Sequence, residues 1–304
     1  MTVVVGLAPG EAVPPAVALG AMLARSVNQR LVVTAVVPEP WPPNPYRSDE
    51  EFLTYQARAA EKALGEAQAQ VGEYSMAEYV LRRARSVSSG LLDVAEENDA
   101  SCVVLGSSSS GALNRVAIGG IADRILHSAG VPVAVAPRGF SFRPGRRLSR
   151  VTVAFGRGDG DSDLLAQATD RALAVGARLR VACFAVEPLA PIATALAGAA
   201  ADVEDLVTDR WVAYLKPIIA ATLERTTSHP SADAVDIVVG QGSSWAAALT
   251  DIAWTDDEIL VIGTTSSPVG RLFLGSHAAK IVRHSPVPVM LVARSAVASP
   301  AESH

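Results

Sequence analysis

Short, valine-rich apolar runs alternate along this chain with longer stretches in which apolar residues recur at helical spacing. In the first half the apolar runs are residues 3–7, 31–37, 78–82, 102–105 and 131–136, and the helical stretches are 11–27, 49–71, 87–98 and 118–129. In the second half the apolar runs are residues 150–155, 179–186, 235–239, 259–262 and 287–292. Continuous apolar strands separated by helices are typical of a parallel sheet with helices on both faces. The pattern therefore predicts an α/β fold.

The second half also contains one long helical region, residues 192–227, which is longer than its counterpart in the first half. Pro217 lies inside it. Because proline has no N–H to donate and its ring crowds the preceding turn, we expect a kink or a break in the helix there.

The two halves are copies of each other. The segment SCVVLGSSSSGALNRVAIGGIADRILHSAGVPVAVAP (101–137) aligns with EILVIGTTSSPVGRLFLGSHAAKIVRHSPVPVMLVA (258–293), and Gly119 matches Gly275 at an offset of 156 residues. Each copy is predicted to be a doubly wound, Rossmann-like domain with a five-stranded parallel sheet. We predict a first domain at 1–138, a linker at 139–149, a second domain at 150–294 and a flexible tail at 295–304.

Gly263 and the pair Gly275-Ser276 mark a candidate ligand site in the second copy. Ligands of doubly wound sheets bind beyond the carboxyl ends of the strands. Gly263 ends the predicted strand, and a residue without Cβ there allows a ligand to approach the backbone. Ser276 begins the next predicted helix, whose unpaired N–H groups suit a phosphate. The alternative is that Gly263 only makes a turn and Ser276 only caps the helix.

Both copies resemble the C-terminal half of universal stress protein domains. The resemblance is carried by VVLGSSSSGALNRVAIGGIADRILHSAGVPVAVAP and LVIGTTSSPVGRLFLGSHAAKIVRHSPVPVMLVA. In that family a glycine, two residues, a second glycine, nine residues, a third glycine and a Ser or Thr precede a helix and a VPV strand. The resemblance implies a cytoplasmic regulatory module of the stress response. It also implies that ATP-binding members hold the phosphates with this loop, and the ribose and base with an Asp at the end of the first strand.

Each copy departs from the family's ATP-binding pattern. The position of the Asp is occupied by Ala8 in the first copy and by Gly156 in the second, and the second glycine of the motif is replaced by serine in both. Only the second copy keeps the final Gly-Ser. The resemblance therefore implies weak binding of ATP or another adenine nucleotide, mainly in the second copy. The candidate binding residues are Gly263, Thr264, Ser266, Gly275 and Ser276 in the second copy, and Gly106, Ser107, Ser109 and Gly119 in the first.

The segment GRGDGDSD (156–163) has the outline of a dinucleotide-binding fingerprint but lacks its last glycine. Asp161 stands in that place, and the three aspartates of the segment would repel a pyrophosphate. We interpret it as a turn followed by an acidic helix N-terminus, which the helix dipole favours.

Charge and composition argue against several other classes of protein. The net charge of −5 has the wrong sign for a nucleic-acid binder, and the apolar stretches are shorter than the ~20 residues of a membrane span. Cys102 and Cys183 lie in apolar runs, which indicates reduced, buried thiols and a cytoplasmic protein. The chain has no P-loop, no nucleophile elbow and no histidines at metal-ligand spacing. We expect no catalytic residues, no metal and no secretion signal.

Three functions stay open on this basis. The first is the regulatory module with a nucleotide site, for linear or cyclic nucleotides. The second is an interaction protein with decayed sites, in which the VPV strands (131–136 and 287–292) pair within the chain or between subunits of a homodimer. In both, we expect the two domains to pair pseudo-symmetrically, and a protein partner stays unidentified. The third, an enzyme acting on a nucleotide substrate, rests on analogy of fold alone.

Overall fold

The computed structural model describes residues 1–10, 14–39, 47–108, 111–141, 143–156, 160–186, 200–224, 235–266 and 272–293. Contacts group them into two compact units. The first unit holds residues 1–148 together with 287–291, and the second holds residues 149–286 together with Val292 and Ala293. The predicted domain boundaries assign 287–291 to the second copy, so the grouping in space differs from the sequence repeat for this one segment.

The first unit is a parallel sheet with strand order β3-β2-β1-β4-β5. The order reverses at β1, which pairs with both β2 and β4. Each strand begins and ends within two residues of its predicted bounds. The runs that form β1, β2, β4 and β5 are largely buried, whereas β3 lies at the edge of the sheet and contains no fully buried residue. In chain order its elements are β1 (Thr2–Leu7), α1 (Pro15–Val27), β2 (Arg30–Pro38), α2 (Arg47–Val71), β3 (Ala77–Ala84), α3 (Val87–Glu97), β4 (Ala100–Gly106), α4 (Gly120–Ser128) and β5 (Val133–Ala136).

The second unit repeats this arrangement with four parallel strands in the order β8-β7-β6-β9. A two-residue strand, β10, pairs antiparallel with the end of β9. The predicted α/β fold, with two tandem and mostly parallel domains, is confirmed. The elements of the second copy, in chain order, are β6 (Arg150–Ala154), α5 (Asp161–Val175), β7 (Arg178–Val186), α6 (Ala200–Leu223), β8 (Asp236–Gly242), α7 (Trp245–Asp251), β9 (Glu258–Ser266), β10 (Leu272–Phe273), α8 (Ser276–His284) and β11 (Val289–Ala293), of which Val289–Leu291 belong to the first unit in space.

The strand β11 pairs antiparallel with β5 in the first unit. Val289 lies opposite Val135, and Leu291 lies opposite Val133. Each strand contains the last valine of a VPV segment. The pairing covers an edge of β5 whose N–H and C=O groups would otherwise be open to solvent or to another chain.

We predicted a kink or a break at Pro217, and helix α6 continues through this residue as a single helix, so it is not broken there. Leu215, Ile219 and Leu223 are almost fully buried on one face of the helix, on both sides of the proline. Burial of this face stabilises the helix by more than the lost backbone hydrogen bond costs. The flanks of the predicted region, residues 192–199 and 225–227, lie outside the described residues.

A buried ionic cluster joins the amino-terminal halves of β6, β7 and β9. Glu258 is fully buried and Arg180 is 3% exposed, and their side chains approach to 2.5 Å. Thr152 donates its hydroxyl to the same carboxylate oxygen, and Arg180 also donates to the carbonyl of Ala253 at 2.9 Å. The guanidinium lies 5.0 Å from the ring of Trp254. A charge pair with this many partners is retained in the core because every polar group in it is bonded.

We expect Glu258→Ala to lower the free energy of unfolding by about 3–5 kcal/mol, because it leaves the Arg180 guanidinium buried without its counter-charge. Urea denaturation followed by circular dichroism measures the loss. The control is Glu97→Ala, which removes an exposed ion pair with Arg82 (2.6 Å) and should cost about 1 kcal/mol or less. Equal losses in the two variants would contradict this account of the cluster.

The two cysteines are free thiols, and both are buried. Burial, with a smaller contribution from the negative charge of Asp161, raises the pKa of Cys183 from 9.0 to about 12. The thiol therefore stays protonated and unreactive across the neutral range, because the thiolate is the nucleophilic form.

Cys183 should react with a thiol reagent at pH 8 only when the protein unfolds. Because the pKa of the thiol is raised from 9.0 to about 12, very little of the reactive thiolate is present at pH 8 in the folded protein. Mass spectrometry after iodoacetamide treatment of Cys102→Ser, in which Cys183 is the remaining thiol, measures this. Rapid labelling of the folded variant would contradict it.

Candidate functional site

A cavity of about 340 Å³ lies in the second unit, beyond the carboxyl ends of β6 and β9. Gly156 lines it after β6, Gly263 lines it from β9, and Gly275 and Ser276 line it at the beginning of α8. The two small-residue segments that mark the candidate site in the sequence therefore come together in one cavity. Its position follows from parallel strands, whose carboxyl ends all lie at the same edge of the sheet.

The amino end of α8 faces this cavity without a capping side chain. Gly275 is the N-cap residue and makes no side-chain cap bond, while Ser276 is the first residue of the helix itself. Ser276 is therefore not the helix cap. A Cβ added to Gly275 would have no atom of the described residues within 4 Å. Backbone N–H groups at such an end, with the positive end of the helix dipole, favour an anion.

Thr264 and Ser266 are placed differently from the residues that line the cavity. Strand β9 does not end at Gly263 but continues to Ser266, because Thr265 and Ser266 pair with Phe273 and Leu272 of β10. Thr264 is fully buried, and its hydroxyl donates to the carbonyl of Val292 at 3.3 Å. The side chain of Ser266 lies outside the described residues.

Asp161 is a cavity residue that the motif did not predict. It is the first residue of α5, with Asp163 also in the first turn, so the predicted acidic helix N-terminus is confirmed. Its carboxyl group is not exposed on the surface, however. The side chain is 4% exposed, lines the cavity, and accepts a hydrogen bond from the N–H of Gly156 at 3.0 Å. A carboxylate thus lies beside the position where the family's Asp is replaced by Gly156.

Four aromatic residues, Phe155, Phe184, Trp245 and His277, line the same cavity. We call the last three the aromatic wall. The ring centroids of Phe184 and Trp245 are 6.2 Å apart, and those of Trp245 and His277 are 5.3 Å apart. The ammonium group of Lys280 lies 5.9 Å from the Trp245 ring. Planar ligand groups stack on such surfaces.

The first unit contains the corresponding cavity, with a volume of about 420 Å³. Gly106 and Ser107 line it after β4, and Gly119 lines it as the N-cap of α4. Ala8, in the place of the family's Asp, lines it too. Its other walls are mainly aliphatic.

The hydroxyl of Ser107 is already engaged within the protein. It donates to the carbonyl of Ala136 at 2.7 Å and accepts from the N–H of Ala117 at 3.1 Å. These bonds join the loop after β4 to the end of β5, so the hydroxyl holds the loop in place. Ser109, which was also predicted to bind a ligand, lies outside the described residues.

The two cavities differ in charge. Among the described residues, none with a carboxylate, ammonium or guanidinium group lines the first cavity, whereas Asp161 lines the second. In the same described ranges, no group of three His, Cys, Asp or Glu side chains is arranged to hold a metal ion. No described helix combines the length and the apolar character needed to cross a membrane.

A sequence signal for the aromatic wall exists, but it is indirect. The repeat aligns the two copies position by position, and Phe184 and Trp245 stand where the first copy has Val36 and Val87. The alignment alone shows that these residues differ between the copies. It does not show that they meet, because Phe184, Trp245 and His277 come from three elements far apart along the chain.

Comparison with known proteins gives the family. The model of the universal stress protein family matches residues 1–137 and again residues 148–293. Universal stress proteins of Mycobacterium tuberculosis and Mycobacterium bovis are each 37% identical to this chain over 299 residues, covering 96% of the chain and 99% of the relative.

Solved structures agree on the fold. A universal stress protein from Archaeoglobus fulgidus has a TM-score of 0.59 at 17% identity, with 96% of this chain and 98% of that chain covered. A putative universal stress protein from Pseudomonas aeruginosa has a TM-score of 0.53 at 13% identity, with 96% and 92% covered. The chain belongs to the universal stress protein family, as a member with two tandem domains.

Proposed function

We propose that this protein is a non-enzymatic, cytoplasmic regulatory module of the stress response that binds an adenine nucleotide weakly, mainly in the second unit. One observation carries the proposal: Gly263, Gly275 and Ser276 line a single cavity at the amino end of α8. The absence of side chains at the two glycines allows the phosphates to approach the backbone closely. The uncapped N–H groups of α8 then supply donors for the phosphate oxygens.

Two features of the same cavity keep the affinity for a nucleotide low. Asp161 places a buried carboxylate at the cavity, where it opposes the charge of a polyphosphate. The hydroxyl of Thr264 donates to a backbone carbonyl, so this residue can contribute to the site only through its backbone. Ser266 is included in the proposed site only because of its position in the sequence motif.

The first unit is proposed to contribute less. Gly106, Ser107 and Gly119 line the corresponding cavity of the first unit, and Ser109 follows Ser107 closely in the sequence. However, the hydroxyl of Ser107 is used within the protein, and Gly120 replaces the final hydroxyl of the motif. The donors left for a phosphate are therefore fewer than in the second unit.

The second candidate function is an interaction protein that binds no nucleotide. The antiparallel pairing of β5 with β11 supports it, because each of these strands contains the last valine of a VPV segment. On this proposal the domains 1–138 and 150–294, separated by the linker 139–149, pair pseudo-symmetrically, and the chain forms homodimers or binds another protein. Sedimentation of a monomer that nevertheless binds ATP would count against it.

We expect calorimetric titration of ATP, ADP and cyclic AMP to show saturable binding that Gly275→Val weakens by at least about tenfold. The valine side chain would occupy the space through which a phosphate reaches α8, and its Cβ would have no atom of the described residues within 4 Å.

The matched control is Gly119→Val, at the corresponding N-cap of α4 in the first unit. It should leave most of the binding intact. A larger loss in Gly119→Val than in Gly275→Val would move the main site to the first unit. An absence of binding by all three nucleotides would leave the interaction protein as the better proposal.

A further inference from the structure

The two halves of helix α2 in the first unit differ in burial. The second half packs against β2 and β3. In the first half, no side chain from Glu50 to Ala59 is buried. A helix of about three turns gains little stability from its own backbone, so packing on one face is expected to stabilise it. The buried side chains of the second half are Ala60, Ala63, Leu64, Ala67 and Val71.

Two large aromatic side chains lie on the exposed half of α2. Phe52 is 58% exposed and Tyr55 is 71% exposed. Because they are three residues apart, they are neighbours on one face of the helix. Among the described residues, no other two exposed large apolar side chains lie one turn apart on a helix. Aromatic residues and arginine are enriched at protein interfaces, so this pair marks a candidate contact surface.

Two opposite charges flank the aromatic pair on the same face. Glu51 precedes Tyr55 by four residues and Arg58 follows it by three, and both side chains are exposed. They are about 10 Å apart along the helix axis, which is too far for an ion pair within the helix. Further along, Lys62 and Glu66 do form such a pair, at 3.7 Å. We call Glu51, Phe52, Tyr55, Arg58 and Ala59 together the α2 face.

The charges make the α2 face complementary to a second copy of itself. In an antiparallel pair of helices that cross near Tyr55, Glu51 lies beside Arg58 of the partner subunit, and Arg58 lies beside Glu51 of the partner subunit. A two-fold axis repeats both contacts, as in an isologous dimer. A parallel arrangement would instead bring like charges together, which is unfavourable.

The two edge strands of the first unit are less suited to bind another chain. The free side of β5 is occupied by β11. The other edge strand, β3, carries three charged side chains that form ion pairs with the same chain, and charges on an edge oppose the docking of a further strand. These pairs are Glu78 with Arg30 (2.7 Å), Arg82 with Glu97 (2.6 Å) and Arg83 with Glu39 (3.4 Å).

We propose that the α2 face binds the α2 face of a second copy of this chain, antiparallel, and so forms a symmetric homodimer. The rings of Phe52 and Tyr55 supply the apolar centre, and the Glu51–Arg58 contacts fix the orientation. A contact of about three helical turns buries less than the ~1,200 Å² of a standard interface, so the dimer is weak and depends on concentration. The inference does not depend on nucleotide binding, and it assigns a surface to the homodimer of the second candidate function.

The apolar centre is tested by sedimentation velocity of the full chain over a series of concentrations. We expect a dimer with a dissociation constant in the micromolar range. The double variant Phe52→Gln/Tyr55→Gln removes both rings but keeps a residue that favours helix. It should raise the dissociation constant by about tenfold or more. The control is Leu173→Gln, which changes a leucine that is 44% exposed on α5 and should leave the dimer unaffected.

The antiparallel orientation is tested by two charge reversals. Glu51→Arg and Arg58→Glu each place like charges beside one another in the dimer, and each should raise the dissociation constant by about fivefold or more. An equimolar mixture of the two variants should dimerise again, with a dissociation constant within about twofold of that of the unsubstituted chain. In the mixed dimer both contacts join opposite charges once more. Circular dichroism checks that each variant keeps its helix content.

The outcomes are decisive and separate from those for nucleotide binding. A chain that stays monomeric at every concentration overturns the inference, and so does a dimer that the double variant does not weaken. A mixture of the charge variants that associates no better than its components excludes the antiparallel contact. A monomer that loses thermal stability in the double variant would mean that the chain itself covers the α2 face, which also overturns it. Gly275→Val, the variant designed to weaken nucleotide binding, should dimerise like the unsubstituted protein.

Discussion

The fold of each unit depends on one constraint: a crossover between parallel strands must carry the chain back to the same edge of the sheet before the next strand begins. All strands then end at one edge, where the loops meet. At β1 and β6 the strand order reverses, so the loops on either side diverge and leave a cavity between them. The position of both cavities therefore follows from the path of the backbone and does not depend on which side chains line them.

This separation between backbone and lining explains how two copies of one architecture can differ in chemistry. The strand residues that pack against helices must stay apolar and of suitable volume, because the interior is close-packed. Side chains at the strand ends and at the first turns of helices face the cavity instead. Val36 and Phe184 occupy equivalent places in equivalent strands, yet they present different surfaces to a ligand. A duplicated domain can thus change its specificity at little cost to its stability.

Much of the fold and part of the site could be predicted from the sequence. Valine-rich runs identify strands because a strand covered by helices on both faces of a parallel sheet must be apolar at nearly every position. The residues Gly263, Gly275 and Ser276 were found because their types and spacing reflect backbone requirements of a loop and a helix start. Asp161 was correctly placed in an acidic helix N-terminus, but its burial at the cavity depends on how α5 returns to Gly156. Likewise, β9 extends beyond Gly263 because β10 pairs with its last residues. Helix α6 continues through Pro217 because one of its faces is buried. These outcomes are set by tertiary contacts, which local patterns do not encode.

The position of β11 limits how the first copy can be separated from the rest of the chain. The first unit includes five residues that the chain contributes only after the second copy is almost complete. A fragment that stops after the first copy would leave β5 as a bare edge, ready to pair with any other strand it meets. The first copy alone is therefore incomplete, and an exchange of this copy between relatives would have to preserve the pairing of β5 with β11.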